Sequence, residues 1–400
     1  MKRKTTLSIL AALVLLTASA MQAQVTVSTY AGSIRGYQNG SLLEAKFTNL
    51  EALFFNGNDL YVSDYNNNAI RIITPDGMVN ILALVNRPIQ MTLADDMLYV
   101  IQGESSHNQN RINRVSMKTG AVTLMYEYGV YNHSKGLCSD ADGNLYVSED
   151  HSVYKIITAT GERILFAGGG GTTFGFVDGT GSEARFMWPG HMVIDTSGNI
   201  YMAEGGNHAV RKITPTGVVT TVAGGTEGNV DGIGTAASFN VPHGITIGPD
   251  GHLYVSDMAS HTIRKITLPE GVVTTIAGIA GTIGNDNGSG SNATFRVPHG
   301  LAFDAFGNLY VADQGNYQIR KISFAPTSVS TAASDKEYHL TAQEGEIGIS
   351  LSCKMHVQVY SLVGASIYDG TLAAGSHQIP AKQGIFMVKV NGTTEKVVVK

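Results

Sequence analysis

Cysteine is nearly absent. Cys138 and Cys353 are the only two in 400 residues, too few for a disulfide framework, so each is expected to be a small buried apolar side chain. Charge is also scarce. Charged residues make up 15%, against about a quarter in ordinary globular chains. There is one tryptophan, Trp188. No helical period of useful length runs through the chain, and no apolar run is long enough for a transmembrane helix. A nucleophile elbow, a phosphate loop, Cys-x-x-Cys and His-Glu-x-x-His are all missing, which removes the best-marked enzyme classes. What is abundant is glycine, 47 residues, within a chain that is 43% hydrophobic. Many turns and a packable interior with little charge indicate an all-β fold. The length suits one large domain with a smaller one.

Residues 1–23 read as a secretory signal peptide. Lys2, Arg3 and Lys4 precede the short apolar run Leu7 to Leu16, and Ala18-Ser19-Ala20 or Met21-Gln22-Ala23 supplies the small residues of a cleavage site. Removing this segment lowers the 27 basic residues to 24 against 32 acidic ones, a charge of about −8. Such an acidic surface repels phosphate backbones and disfavours nucleic-acid binding.

A repeat follows. Leu60-Tyr61-Val62, Leu98-Tyr99-Val100, Leu145-Tyr146-Val147, Ile200-Tyr201-Met202, Leu253-Tyr254-Val255 and Leu309-Tyr310-Val311 are six copies of one strand. A second short strand comes after each, as in Val210-Arg211-Lys212-Ile213, Ile263-Arg264-Lys265-Ile266 and Ile319-Arg320-Lys321-Ile322. Its apolar–polar alternation predicts a half-buried strand. Asp142-Gly143, Ser197-Gly198 and Asp250-Gly251 stand before the aromatic strands, as tight hairpins require. A third strand ends the unit, for example Val218 to Gly224. The period of roughly 40 to 55 residues is that of propeller blades. The last copy stops at Ile322 without its third strand, and Val25 to Gly32 carries the missing phrase. Residues 25–32 are therefore expected to complete the sixth blade and close the ring.

The phrases Pro242-His243-Gly244-Ile245, Asp250 to Asp257 and Ile263 to Ile266 resemble the NHL repeat family over about residues 24–324. The resemblance implies a six-bladed β-propeller. It weakens in the second blade, where Gln102-Gly103-Glu104 replaces the acid that elsewhere follows the strand.

Residues 325–337 are small and polar and read as a linker. Beyond them the repeat is gone. Gly348 to Leu351, His356 to Tyr360, Ile385 to Val390 and Glu395 to Lys400 read as short strands of a small Ig-like β-sandwich over 338–400. Val359-Tyr360-Ser361-Leu362-Val363-Gly364 and Gly384-Ile385-Phe386-Met387-Val388-Lys389-Val390 resemble the C-terminal sorting domain of the bacterial type IX secretion system. That resemblance implies secretion machinery as a partner and an extracellular or cell-surface location. A stable accessory domain in the periplasm is the alternative.

Loops before the innermost strands line a propeller's axial channel. The Pro-x-Gly phrase places Glu51, Ile89, Lys135, Gly190, His243 and His299 in that slot, with His191 one residue displaced. His243 and His299 share one slot in adjacent blades. Imidazole ligates zinc and other divalent metals, and the peptidylglycine amidating lyases, similar propellers, place metal-binding histidines in such Pro-His phrases. His243, His299 and His191 are therefore the metal candidates, and Glu51, Lys135, His243 and His299 the channel ligand candidates. Against a metal, His191 is out of register and Lys135 is a poor ligand. The acids Asp64, Glu149, Glu204, Asp257 and Asp313 are one per blade, too dispersed for calcium. Each is expected to cap a turn or pair with a neighbouring arginine, Asp257 with Arg264 for instance. Trp188, Phe174 and Phe176 are expected to pack between blades, a sugar platform being the alternative. These readings favour a binding module for a protein, peptide or glycan, with a metal-dependent lyase or hydrolase as the alternative.

Overall fold

The computed structural model describes residues 25–103, 109–130, 134–171, 173–324, 338–343, 346–351, 354–361, 366–381, 384–390 and 393–399. The segment 1–23 read above as a signal peptide, the stretch 325–337 read as a linker, and Cys353 lie outside the described residues. The chain divides into two compact units, one ending at Thr327 and one beginning at Ser328.

In the first unit the described strands form six antiparallel sheets of four or five strands. Their first strands are Leu50–Asn56, Pro88–Ala94, Ser134–Ser139, Pro189–Ile194, Pro242–Ile247 and Pro298–Phe303. Each of these touches the next, and the last touches the first, so the sheets stand in a closed ring. The closure is as expected from the repeat. Val25–Ala31 pairs antiparallel with Gln318–Phe324, with Val27 opposite Ile322. The N-terminal strand thus covers the open edge of the last sheet.

Both faces of each sheet are buried, which explains the aromatic phrase. Leu253 and Val255 pack toward Tyr201 and Val210 of the preceding sheet and toward Phe239 of the connection that enters their own. Tyr254, pointing the other way by strand alternation, packs with Phe295, Leu301 and Leu309 of the following one. Such cores fill the gap between every neighbouring pair of sheets, including the last and first. Each fully buried large apolar side chain stabilises by roughly 1.5–3 kcal/mol. Cys138 lies free and buried in one of these cores.

The second strand departs from the half-buried reading. In Ala209–Ile213 and Thr262–Thr267 the arginine is fully buried along with the aliphatic residues. Arg264 donates to Asp257 Oδ2 at 3.1 Å, to Asp231 Oδ1 at 2.7 Å and to the Ser238 and Val230 carbonyls. Its guanidinium lies over the Phe239 ring. Arg71–Asp64, Arg211–Glu204 and Arg320–Asp313 repeat the pair. The lysine beside it lies over the repeat tyrosine, Lys265 over Tyr254 for example. In the third sheet Tyr154 occupies the arginine position, and Glu149 pairs with Arg163 instead. In the second sheet the pair is neutral, Asn113 donating to Gln102 at 2.9 Å.

The second unit contains two antiparallel sheets among the described residues. One joins Tyr338–Gln343, Glu346–Leu351 and Gly375–Pro380. The other joins Ser366–Leu372, Met355–Ser361, Gly384–Val390 and Thr393–Val399. Ile347, Ile349 and Ile379 of the first pack with Val357, Val359, Phe386 and Val388 of the second.

Candidate functional site

Every innermost strand of the ring carries an irregularity at its start. Its pairing skips one residue, between Pro242 and Ile245 and between Pro298 and Leu301, for instance, and likewise in the other four sheets. A bulge of this kind sets two residues against one and re-aims the side chains. His243 and His299 sit in it. So does His191, in the next bulge position, which is why a one-residue displacement does not take it out of the site.

Glycine after the slot brings the strands close. A Cβ on Gly244 would collide with the His299 carbonyl oxygen, and one on Gly300 would stand 2.5 Å from Ala52 Cα and 2.8 Å from the Glu51 oxygen. The last, fifth and first sheets therefore press their slot residues together. The His243 and His299 rings are 4.2 Å apart between centroids, and the His191 and His243 rings 4.6 Å. Glu51 Oε1 lies 3.5 Å from His243 Nε2, and Glu51 Oε2 lies 3.3 Å from His299 Nδ1. One donor atom from each of Glu51, His243 and His299 falls within 4.8 Å of the others.

Electrostatics follow from this burial. Desolvation alone would raise the Glu51 carboxyl, but His299, Lys135 and His243 reverse it and hold the group well below the usual carboxylate range. Burial pushes His191 down to about 4, with Glu51 opposing. Burial, then His299 and His191, depress His243 well below the ordinary imidazole value. His191 is 2% exposed, and its Nε2 has no hydrogen-bond partner, nor has His243 Nδ1.

The sequence-derived slot thus contributes Glu51, His243 and His299 directly, with His191 beside them and Lys135 as the facing cation. Ile89 is buried in the core between the second and third sheets instead. Two glutamines lacked any sequence signal. Gln314 donates to Glu51 Oε2 at 3.2 Å and lies 3.1 Å from His299 Nδ1, holding the carboxylate in place. Gln90 stands where the phrase elsewhere has glycine. It accepts from the Leu137 and Met192 amides and donates to the Met192 carbonyl, bridging three sheets.

Beside the histidines a cavity of about 300 Å³ opens between Lys135, Asp150, His151, Trp188, Gly205 and His243. Trp188 is 66% exposed and Phe174 62%, so neither packs between sheets as expected. Trp188 adopts φ +50° before Pro189, and its indole stands open to water. A second cavity, about 340 Å³, is lined by residues of all six innermost strands, Phe54 and Phe303 among them.

Residues 39–231 match the Teneurin NHL domain, and residues 239–266 match the NHL repeat. The fold is an NHL-repeat β-propeller. NHL repeat-containing protein 2 of Gallus gallus is 36% identical over 146 residues, covering 33% of this chain and 20% of its own length. Protein SUPPRESSOR OF QUENCHING 1, chloroplastic, of Arabidopsis thaliana is 27% identical over 283 residues, 59% of this chain and 26% of that protein. The propeller chain thus spans about a quarter or less of these relatives. Among solved structures, an auxiliary nutrient binding protein from Bacteroides thetaiotaomicron superposes with a TM-score of 0.64 at 20% identity, covering 76% of this chain and 78% of that one. At that identity the likeness is one of fold.

Proposed function

We propose that this chain is an exported binding module. In this reading the six sheets are the blades of a six-bladed propeller that holds a protein, peptide or glycan ligand at one mouth of its axial channel. The observation that carries the reading is the cavity beside Trp188. An indole left open to water beside a cationic Lys135 suits a ligand with an apolar face and an anionic group. Solved proteins of the same fold include ones named for nutrient binding. Residues 1–23 would direct export. The unit over 338–400 would be an Ig-like sandwich serving as a type IX sorting domain, giving an extracellular or cell-surface product. Among the described residues no helix is long and apolar enough to cross a membrane.

Two measurements test this. Glycan and peptide arrays probed with the exported protein should give ligands whose binding Trp188→Ala abolishes. Unchanged binding by that variant would overturn the site assignment. Mass spectrometry of the extracellular protein should find an N-terminus near residues 21–24 and show whether residues 325–400 are removed. Retention of the full chain in the periplasm would remove the sorting role. A second reading, a metal-dependent lyase or hydrolase, is favoured by the approach of His243 and His299 to Glu51. It requires turnover that disappears on chelation.

A further inference from the structure

The distances around Glu51 are unusual for a simple ion pair. A hydrogen bond from a nitrogen donor to an oxygen closes to about 2.7–3.2 Å. Here the two carboxylate oxygens stop at 3.5 Å from His243 and 3.3 Å from His299, although all three side chains are nearly enclosed. Donors that share a tetrahedral zinc at about 2.0–2.2 Å stand about 3.3–3.6 Å from one another. Each imidazole nitrogen stands in that range from one of the two carboxylate oxygens, His243 from Oε1 and His299 from Oε2. The three donor atoms, one from each residue, all lie within 4.8 Å of one another. A second observation points to the same place. His191, 2% exposed, presents an Nε2 with no partner beside this cluster, and a buried polar atom left unsatisfied is destabilising.

We infer that Glu51, His243 and His299 form a tetrahedral binding site for a divalent transition metal, zinc above all, whose fourth position is taken by a water or ligand atom that bonds to His191. Two imidazoles and one carboxylate are a borderline donor set, which favours zinc over calcium or magnesium. Gln314 is a positioning residue. Its amide holds Glu51 Oε2 and orients the carboxylate. Lys135 is the cation that faces the cluster, and it opposes a second positive charge. The site joins the first sheet, through Glu51, to the fifth and sixth, so the metal also links the two ends of the ring. The inference does not depend on turnover. Zinc binding without lyase or hydrolase activity would leave it standing and remove the second reading above.

The test uses the full exported chain, stripped with a chelator and titrated with zinc chloride by calorimetry, with cobalt(II) as a spectroscopic substitute. One zinc per chain should bind, and the cobalt form should show the intense visible bands of tetrahedral coordination. Glu51→Gln, nearly isosteric, should weaken zinc by about 100-fold or more, and Gln314→Ala by roughly 10-fold. Lys135→Met should tighten it. His356→Ala and His377→Ala, in the second unit, should change nothing. Absence of saturable one-to-one binding would overturn the site. So would zinc affinity unchanged in a Glu51→Gln protein with a native circular dichroism spectrum, a six-coordinate cobalt spectrum, or binding that follows His356→Ala.

Discussion

Arg264 Nη1 and Asp257 Oδ2 meet at 3.1 Å with both side chains fully buried. The carboxylate also accepts the Asn240 amide at 2.6 Å, so the pair ties its own sheet to the connection entering it. Removing one member strands the other in a low-dielectric site. Arg264→Met should therefore cost about 3–5 kcal/mol, while Arg264→Met with Asp257→Leu should recover part of that loss. Urea denaturation of the three proteins measures it. A double variant no better than the single one would show that the remaining arginine contacts matter more than the charge pair.

Gly244→Ala should be among the most damaging small substitutions. Its Cβ would meet the His299 carbonyl and Ser256 Oγ at 2.8 Å, so two sheets must separate. A loss of about 1–3 kcal/mol or more is expected from overpacking, with weaker zinc binding in whatever remains folded. Thermal denaturation together with a zinc titration reads both. Full stability with native zinc affinity would contradict the close-approach argument.

Trp188→Ala should do the opposite. The indole is exposed, so stability should stay within about 0.5 kcal/mol, while binding of any ligand selected on arrays should be lost. A marked fall in melting temperature would show that the ring is a packing element.

Two imidazole contributions to stability should weaken on acidification. His261 Nδ1 accepts the Val297 amide at 3.2 Å, and His151 Nδ1 accepts the Trp188 amide at 3.4 Å. Burial depresses both imidazoles below their ordinary value. The unfolded chain, titrating near 6.5, then binds protons that the folded chain refuses. The contribution is intact above about pH 6.5 and is lost as pH falls below it. Asn68 does the same task without titrating, its Oδ1 accepting the Arg87 amide at 3.0 Å. His261→Asn should accordingly make the melting temperature fall less, or rise more, than in the parent protein between pH 7.5 and 5. An unaltered slope would place the acid sensitivity elsewhere.

Much of this molecule can be read before it is folded. The Leu-Tyr-Val copies locate six strands because both faces of each sheet are buried, and the unfinished last copy locates the closing strand at Val25–Ala31. The pairing of Asp257 with Arg264 follows from spacing on adjacent strands. The burial of the arginine does not, since alternation alone puts a charged residue toward water, and the Asp257 and Asp231 carboxylates, the connecting-loop carbonyls and the Phe239 ring together make its burial tolerable. His243, His299 and Glu51 are legible as one slot. Their convergence depends on bulges and on glycines pressed against neighbouring backbone, which a linear pattern does not reveal. Gln314 and Gln90 are visible only in three dimensions, because their partners are distant in the chain. The exposure of Trp188 is set by its neighbours in space, which a linear pattern does not show.

The strand Val25–Ala31 has its partner at Gln318–Phe324, almost 290 residues later. Whichever end leaves a ribosome or a membrane pore first must wait for the other. Until then the chain carries one unpaired strand and one bare sheet edge, both ready to recruit a second copy. Slow emergence is thus the period of greatest hazard, and a holding chaperone that shields residues 25–31 should raise the yield of monomer more than one acting on any middle sheet.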